Sequence, residues 1–184
     1  MMKRQTIAVV LGLAIAACGP SETRISTPDG GEVIKRQGKV DIVTMDVRKQ
    51  THEEAVAEAR ATFPHFLKMQ ASKQPHLDNF AAKVALPTND NSLEHIWVLD
   101  VKVSGDGYTG VLNNDPYNLA GGLKIGDRVS FTLDRLTDWG YGEHGKQRGH
   151  FTTRLILEQT PPEEAAMISA MLHEQPMPSV NLRP

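Results

Sequence analysis

Three segments carry residues whose types and spacing could do chemistry. Asn89-Asp90-Asn91-Ser92-Leu93-Glu94-His95 puts acids, amides and an imidazole within one short stretch. Asp90, Glu94 and His95 are candidates for a general-base or metal site. Their spacing matches neither an EF-hand loop nor a His-Glu-x-x-His helix. Glu94 and His95 are neighbours on a predicted strand, so they face opposite sides unless a bulge or turn intervenes. A loop that caps its own backbone explains the same residues. Gly110-Val111-Leu112-Asn113-Asn114-Asp115-Pro116 is the second segment. Asn and Asp before Pro favour a turn. Amide side chains both donate and accept, so Asn113 and Asn114 also suit the polar groups of a peptide or sugar. The third segment, 137–150, contains Asp138-Trp139-Gly140-Tyr141-Gly142 followed by His144, Lys146, Arg148 and His150. It reads as a long glycine-rich loop between strands, and such loops are often functional. Trp139 and Tyr141 offer flat apolar surfaces with polar tips.

Other chemistries find less support. Ser92, Ser104 and Ser130 lie in no Gly-x-Ser-x-Gly elbow. The histidines (52, 65, 76, 95, 144, 150 and 173) form no zinc spacing. Met167, Met171 and Met177 read as core and tail rather than a metal-binding box. No cofactor is expected and no metal ligand is assigned. A formal net charge of -2 gives no basic footprint for nucleic acid. With 184 residues, 40% hydrophobic and 23% charged, the chain has the composition of one globular domain rather than of a disordered or coiled-coil protein.

The N-terminus reads as an address and an anchor. Met1-Met2-Lys3-Arg4 is a basic start, and the apolar run over 6–17 is too short to span a bilayer, which takes about 20 residues. Its length is that of a signal-peptide core. The run closes on Ile15-Ala16-Ala17-Cys18, which resembles the lipobox of bacterial lipoproteins. That resemblance implies a signal peptide over 1–17 and lipidation of Cys18 as the first mature residue. Gly19, where an Asp would signal retention, implies the outer membrane and a domain facing the periplasm. Because Cys18 is the single cysteine, its acylation would leave no free thiol and exclude thiol redox chemistry. Residues 18–45 read as a flexible tether, broken by Pro28-Asp29-Gly30-Gly31. A flexible chain of ~30 residues reaches roughly 30 Å.

The elements that must position the candidate residues follow. A weak alternation over 41–47 suggests a short strand. Thr51 and Glu54 form a capping box, and Val56, Ala59, Phe63, Phe66 and Leu67 make one helical stripe. Pro64 inside that stripe predicts a kink or restart. Alternation predicts strands over 80–86, 96–103, 108–113, 129–134 and 151–158. Trp97 heads an apolar face with Leu99, Val101 and Val103, which predicts that it is core. A final helix opens at Thr160 with a capping box to Glu163, has Ala165, Ile168, Met171 and Leu172 inside, and stops at Pro176. The expected fold is α+β: a curved antiparallel sheet of five strands, covered on one face, flanked by an N-terminal and a C-terminal helix. The domain is placed at 46–176 and a tail at 177–184.

Glu94-His95-Ile96-Trp97-Val98, Tyr108-x-Gly110-Val111-Leu112-Asn113-Asn114-Asp115-Pro116, Gly126-Asp127-Arg128-Val129 and Asp138-Trp139 together resemble the YegJ-like family, also called domain of unknown function 2314. The likeness covers roughly residues 50–172. It implies an α+β domain with a shared surface built from these segments, and it implies no particular activity.

Three functions fit these readings. The first is a membrane-tethered binding module that holds an envelope protein or peptide through Trp97, Asn113, Asn114, Asp138, Trp139 and Tyr141. An inhibitor of the immunity type falls in this class. The second is an envelope hydrolase with Glu94, His95 and Asp138 as catalytic groups. The third is a structural envelope lipoprotein that depends on its tether. Residue types and spacing favour the binding module.

Overall fold

A computed structural model describes residues 6–7, 22–26, 32–36, 42–44 and 49–178. The chain opens its domain with helix α1 (Lys49–Ser72) and continues into β1 (Leu77–Pro87), β2 (Leu93–Ser104), β3 (Gly107–Leu112), β4 (Arg128–Phe131), β5 (Leu136–Glu143) and β6 (Lys146–Gly149). Helices α2 (Phe151–Ile156) and α3 (Pro162–Met171) close it. The spatial order is β6-β5-β1-β2-β3-β4, and every neighbouring pair is antiparallel. The α+β sheet with flanking helices is therefore the fold, with six strands in the domain where alternation predicted five.

The apolar core lies between α1 and one face of the sheet. Ala55, Ala59, Phe63 and Phe66 of α1 meet Ala82 and Val84 of β1, Ile96 and Val98 of β2, and Trp139 and Tyr141 of β5. Aromatic contacts bind these layers: Phe63 meets Tyr108 edge-on with centroids 5.1 Å apart, and Phe66 meets Phe80 at 5.7 Å. Pro64 sits on the exposed side of α1, and the helix runs through it without a break. Its missing N–H therefore faces solvent and not the core. Thr51 falls inside α1, which begins at Lys49, so it is not the cap.

Four local expectations are corrected. Segment 137–150 is a hairpin, not a loop: β5 and β6 pair from Glu143↔Lys146 to Gly140↔Gly149 around His144-Gly145. Both turn residues have positive φ, 50° and 80°, as a tight hairpin turn matching strand twist requires. Segment 151–158 is helix α2 followed by a 3-10 turn (Leu157–Gln159), not a strand. Helix α3 has no side-chain cap, and Thr160 Oγ1 instead donates to Ile156 O at 2.6 Å. Val103 is 68% exposed. The register between β2 and β3 shifts between Leu99 and Lys102, and Asp100 has φ 50°. This bulge moves Val101 onto the face of Ile96 and Val98 and carries Val103 out of the core.

The two edges of the sheet differ. The outer side of β6 is lined by the C-terminal strap. His173 N–H donates to Gln147 O at 3.0 Å, and Gly149 N–H donates to Pro176 O at 2.8 Å. Arg148 and Arg154 grip carbonyls of the same strap. Among the described residues, β4 pairs with β3 alone. Further N-terminal strands join the sheet beside the start of β2: Thr6–Ile7 pairs with it in parallel and with Ile42–Thr44 in antiparallel. Within the stretch read as a tether, Glu22–Ser26 pairs with Glu32–Arg36. Cys18 lies outside the described residues, and among those residues no helix is long and apolar enough to cross a membrane.

Candidate functional site

The second face of the sheet is also covered, and what it buries is polar. Lys83 on β1 has Trp97 of β2 and Asp138 of β5 as its cross-strand partners. The three are 1%, 6% and 0% exposed. A lysine in the middle of a central strand is costly to bury, since a buried charge loses several kcal/mol of hydration unless it is paired. The Lys83 ammonium lies 5.6 Å from the Trp97 ring centroid and 3.5 Å from Thr152 Oγ1. Burial pushes this amine down from 10.5 to about 8, and the Asp138 charge only partly opposes the shift.

Asp138 does not pair closely with the lysine because its oxygens are committed elsewhere. Oδ1 accepts the Trp139 N–H at 2.8 Å and the Phe151 N–H at 3.0 Å. Oδ2 accepts the Thr152 N–H at 2.9 Å and the Thr152 hydroxyl at 2.6 Å. A carboxylate from β5 thus caps the first turn of α2, a role usually taken by the residue just before a helix. That position holds His150, in the left-handed conformation with φ 56°, and it makes no side-chain cap. The His150 ring lies over Gly140 and stands 5.1 Å from the Trp97 ring. A Cβ at residue 140 would sit 2.2 Å from His150 Nε2, so only glycine leaves room for that ring.

Two further imidazoles complete the cluster. His95 Nδ1 lies 3.2 Å from Thr137 Oγ1, and that hydroxyl donates to Lys83 O at 3.3 Å. The hydroxyl therefore accepts from His95, which fixes Nδ1 as the protonated nitrogen of the neutral ring. Burial, then the charge of Lys83 and the nearby His52, hold His95 down to about 3. His52, from the start of α1, stands edge-on to His95 at 6.2 Å. Its Nδ1 is buried without a hydrogen-bond partner among the described residues. Burial lowers the pKa of both His52 and His150 below the usual imidazole value.

The sequence-predicted residues fall into separate places. Glu94 pairs across from Leu86 and His95 from Ala85, so they point to opposite faces. The Glu94 carboxylate accepts the Tyr117 N–H at 2.8 Å and the Asn118 N–H at 2.9 Å, clamping the loop after β3. His95 and Asp138 share the buried cluster and Glu94 does not. Asp90 accepts from the hydroxyls of Thr88 and Ser92 and from the Ser92 N–H, so the loop before β2 caps itself. These hydroxyls hold its carboxyl below the usual range. Asn113 is exposed and gives its N–H to Trp97 O at 3.0 Å. Asn114 is 8% exposed, and its Oδ1 has no partner among the described residues.

Trp139 and Tyr141 are core residues with no exposed surface. The Trp139 indole donates to Ala59 O at 2.9 Å, and the Tyr141 hydroxyl lies 3.0 Å from His65 Nε2. Burial raises the Tyr141 phenol to about 12. Their glycine neighbours are the reason for the misreading. Gly140 makes room for His150, and a Cβ at Gly142 would stand 1.9 Å from Asp78 Oδ1. Both glycines are packing residues of a strand and not hinges of a loop. Reasoning from sequence passed over Lys83, His52 and Thr152, and it placed His150 in a glycine-rich loop rather than against Trp97. One signal was present: the residues flanking Lys83 on its own face are Ala81 and Ala85, small rather than polar.

A second feature is an open groove of about 450 Å³ beside β4. Leu86, Pro87, Tyr108 and Phe131 give it an apolar floor, and Ser104, Asp106 and Arg135 stand at its rim. Ser130 and Phe131 belong both to this groove and to the β4 edge strand. Among the described residues, no group of three or more His, Cys, Asp or Glu is placed to hold a metal ion.

Fold and site together define a single-sheet α+β domain with one apolar face and one face closed on a buried lysine. The chain belongs to the bacterial family described as an uncharacterized protein conserved in bacteria (DUF2314), whose model matches residues 49–171. It is 30% identical over 131 residues to the uncharacterized protein YegJ of Escherichia coli K12, covering 71% of this chain and 83% of that protein. A putative ankyrin repeat protein of Neisseria meningitidis serogroup B is 34% identical over 71 residues, 39% of this chain and 28% of its own length. No solved structure matches.

Proposed function

We propose that this chain is a lipid-anchored protein of the bacterial envelope whose domain binds an extended peptide segment of a partner, without turnover. The single observation that carries the reading is the β4 edge lying against the apolar groove. An unpaired strand edge offers a row of backbone donors and acceptors, and an adjoining pocket can read alternate side chains of an added strand. The acid groups support it as well. Glu94 and Asp138, which a hydrolase would need free, spend both carboxylate oxygens on backbone amides. An inhibitor of the immunity type, which acts by stoichiometric occupation, fits the same surface.

The anchor rests on the lipobox at Cys18 and the basic, apolar leader before it. One acyl chain gives marginal membrane binding and two or more hold stably. Cleavage before Cys18 would also remove the Thr6–Ile7 strand from the start of β2.

The test uses an exported Cys18→Ser chain as bait beside the same chain carrying Ser104→Trp. Ser104 is exposed at the groove rim, so the substitution fills the groove and leaves the core untouched. The reading expects one envelope protein that saturates the first bait at one to one and is lost from the second. Equal retention by both baits, or turnover of a substrate by the purified domain, contradicts it.

A further inference from the structure

Three neutral imidazoles, one ammonium and one carboxylate share the space under α2. His52 faces it from α1 with Glu53 beside it, Lys83 from β1, His95 from β2, Asp138 from β5, and His150 and Arg154 from α2 and its entrance. With the rings neutral, Lys83 and Arg154 stand against Asp138 and Glu53. Each proton added to a ring leaves an extra positive charge in a space already occupied by a lysine. The one carboxylate cannot turn to meet it, because both of its oxygens hold α2.

The three rings differ in how they can escape. His95 belongs to β2 and is held to Thr137 Oγ1 at 3.2 Å, so it stays with the sheet when α2 leaves. His52 is in the first turns of α1, and His150 immediately precedes α2. Helix α2 is only six residues long, so undocking it disturbs little regular structure, and its cost is the withdrawal of Phe151 from Trp139, 5.3 Å away. We propose that His52 and His150 form an acid-operated latch: proton uptake on these rings releases α2 from the sheet and uncovers the Trp97–Lys83 face.

The geometry sets both the sign and the order. Rings whose folded pKa lies below the free value of 6.5 bind protons more tightly once released, so docking weakens as pH falls through that value. His52 adds a second reason, because its buried Nδ1 lacks a partner in the closed state and gains water in the open one. Release of α2 frees Phe151 and Thr152 from Asp138 and leaves the pairing of β1 with β2 and β5 intact.

The test is amide hydrogen exchange of the full chain between pH 7.5 and 5.0, corrected for intrinsic rates. Protection over 150–157 is expected to fall severalfold as the pH drops below the free imidazole value. Protection over 80–86 in β1 stays constant. His150→Asn keeps a residue suited to left-handed backbone and removes most of the fall, and His52→Gln removes part of it should the first variant fold poorly. Flat protection at α2 overturns the proposal. So does a fall shared equally by β1, which is whole-domain unfolding, or a fall unchanged in both variants.

Discussion

The two faces of the sheet are closed by opposite means. Under α1, Phe63, Phe66, Trp139 and Tyr141 pack in an apolar layer that buries no ion pair. Beside α2, Lys83, Asp138, His52 and His95 are buried and His150 is half-buried, with one carboxylate doing most of the hydrogen bonding. The first face should respond to lost volume and the second to lost or added charge. Apolar burial is non-directional and forgiving, whereas a buried ion is only as good as its partners. The domain therefore has a robust side and a conditional side, joined by β5, which places Trp139 on one and Asp138 on the other.

The largest effects should come from removing a pillar on either side. Asp138→Ala strips the acceptor from the Phe151 and Thr152 amides and leaves Lys83 without a counter-charge. It should cost about 3–5 kcal/mol, as breaking a buried ionic site does. Phe66→Ala should cost a similar ~3–5 kcal/mol by opening a cavity. Thermal and denaturant unfolding at several pH values separate the two. The Phe66→Ala deficit is the same at every pH, and the Asp138→Ala deficit varies with it.

Lys83→Met sharpens the comparison, because it makes the conditional face resemble the apolar one. The substitution leaves an unbranched side chain one atom shorter and removes the buried charge, while Asp138 keeps its four donors, so the domain should gain about 1–3 kcal/mol near neutral pH. The sign follows from linkage. Lys83 in the fold holds its proton less tightly than in the unfolded chain, about 8 against 10.5. Wild-type stability therefore rises as pH climbs from about 8 to 10.5, and the variant lacks that slope. Equilibrium urea unfolding across that window checks both statements.

A smaller effect is expected at the clamp outside both faces. Glu94→Gln exchanges one acceptor oxygen for an amide that cannot accept, so one of the Tyr117 and Asn118 amides loses its partner. The cost should be about 1–2 kcal/mol, with faster exchange confined to these two amides in NMR spectra. Ser104→Trp should move stability by less than about 0.5 kcal/mol, as exposed substitutions do, while abolishing partner capture.

Much of the robust side was legible in the sequence. The stripe of Ala59, Phe63 and Phe66 and the alternation through Ala82, Val84 and Leu86 are local patterns, and they mark the residues that form the core. The conditional side was not, for reasons that are physical. Phe151-Thr152-Thr153-Arg154-Leu155-Ile156 is rich in β-branched and aromatic residues and reads as strand. It is helical because a carboxylate thirteen positions away in sequence caps its first turn, and no local propensity records that. Lys83 sat in an alternating strand as the expected solvent-facing residue. Thr152 of α2 stands 3.5 Å from its ammonium, and α2 is placed there by contacts distant in sequence, among them Asp138 with the Phe151 and Thr152 amides. Asp138 and His95 were singled out as chemistry-bearing residues, and both lie in the cluster, but the lysine between them was passed over. Trp139 and Tyr141 were misplaced for the converse reason: their glycine neighbours suggested mobility where they provide space for packed side chains.

Lys83 inside the second face holds its proton less tightly than a free amine, and its titration is directly observable. Carbon-13 labelling of the lysine side chains, with Lys83→Met to assign the resonance, reads the protonation of this amine by NMR as pH is raised. The Lys83 signal is expected to titrate near 8. A Lys83 signal that titrates at the ordinary amine value of 10.5 would overturn this reading, because the amine would then be hydrated or fully paired and the second face would not be conditional at all.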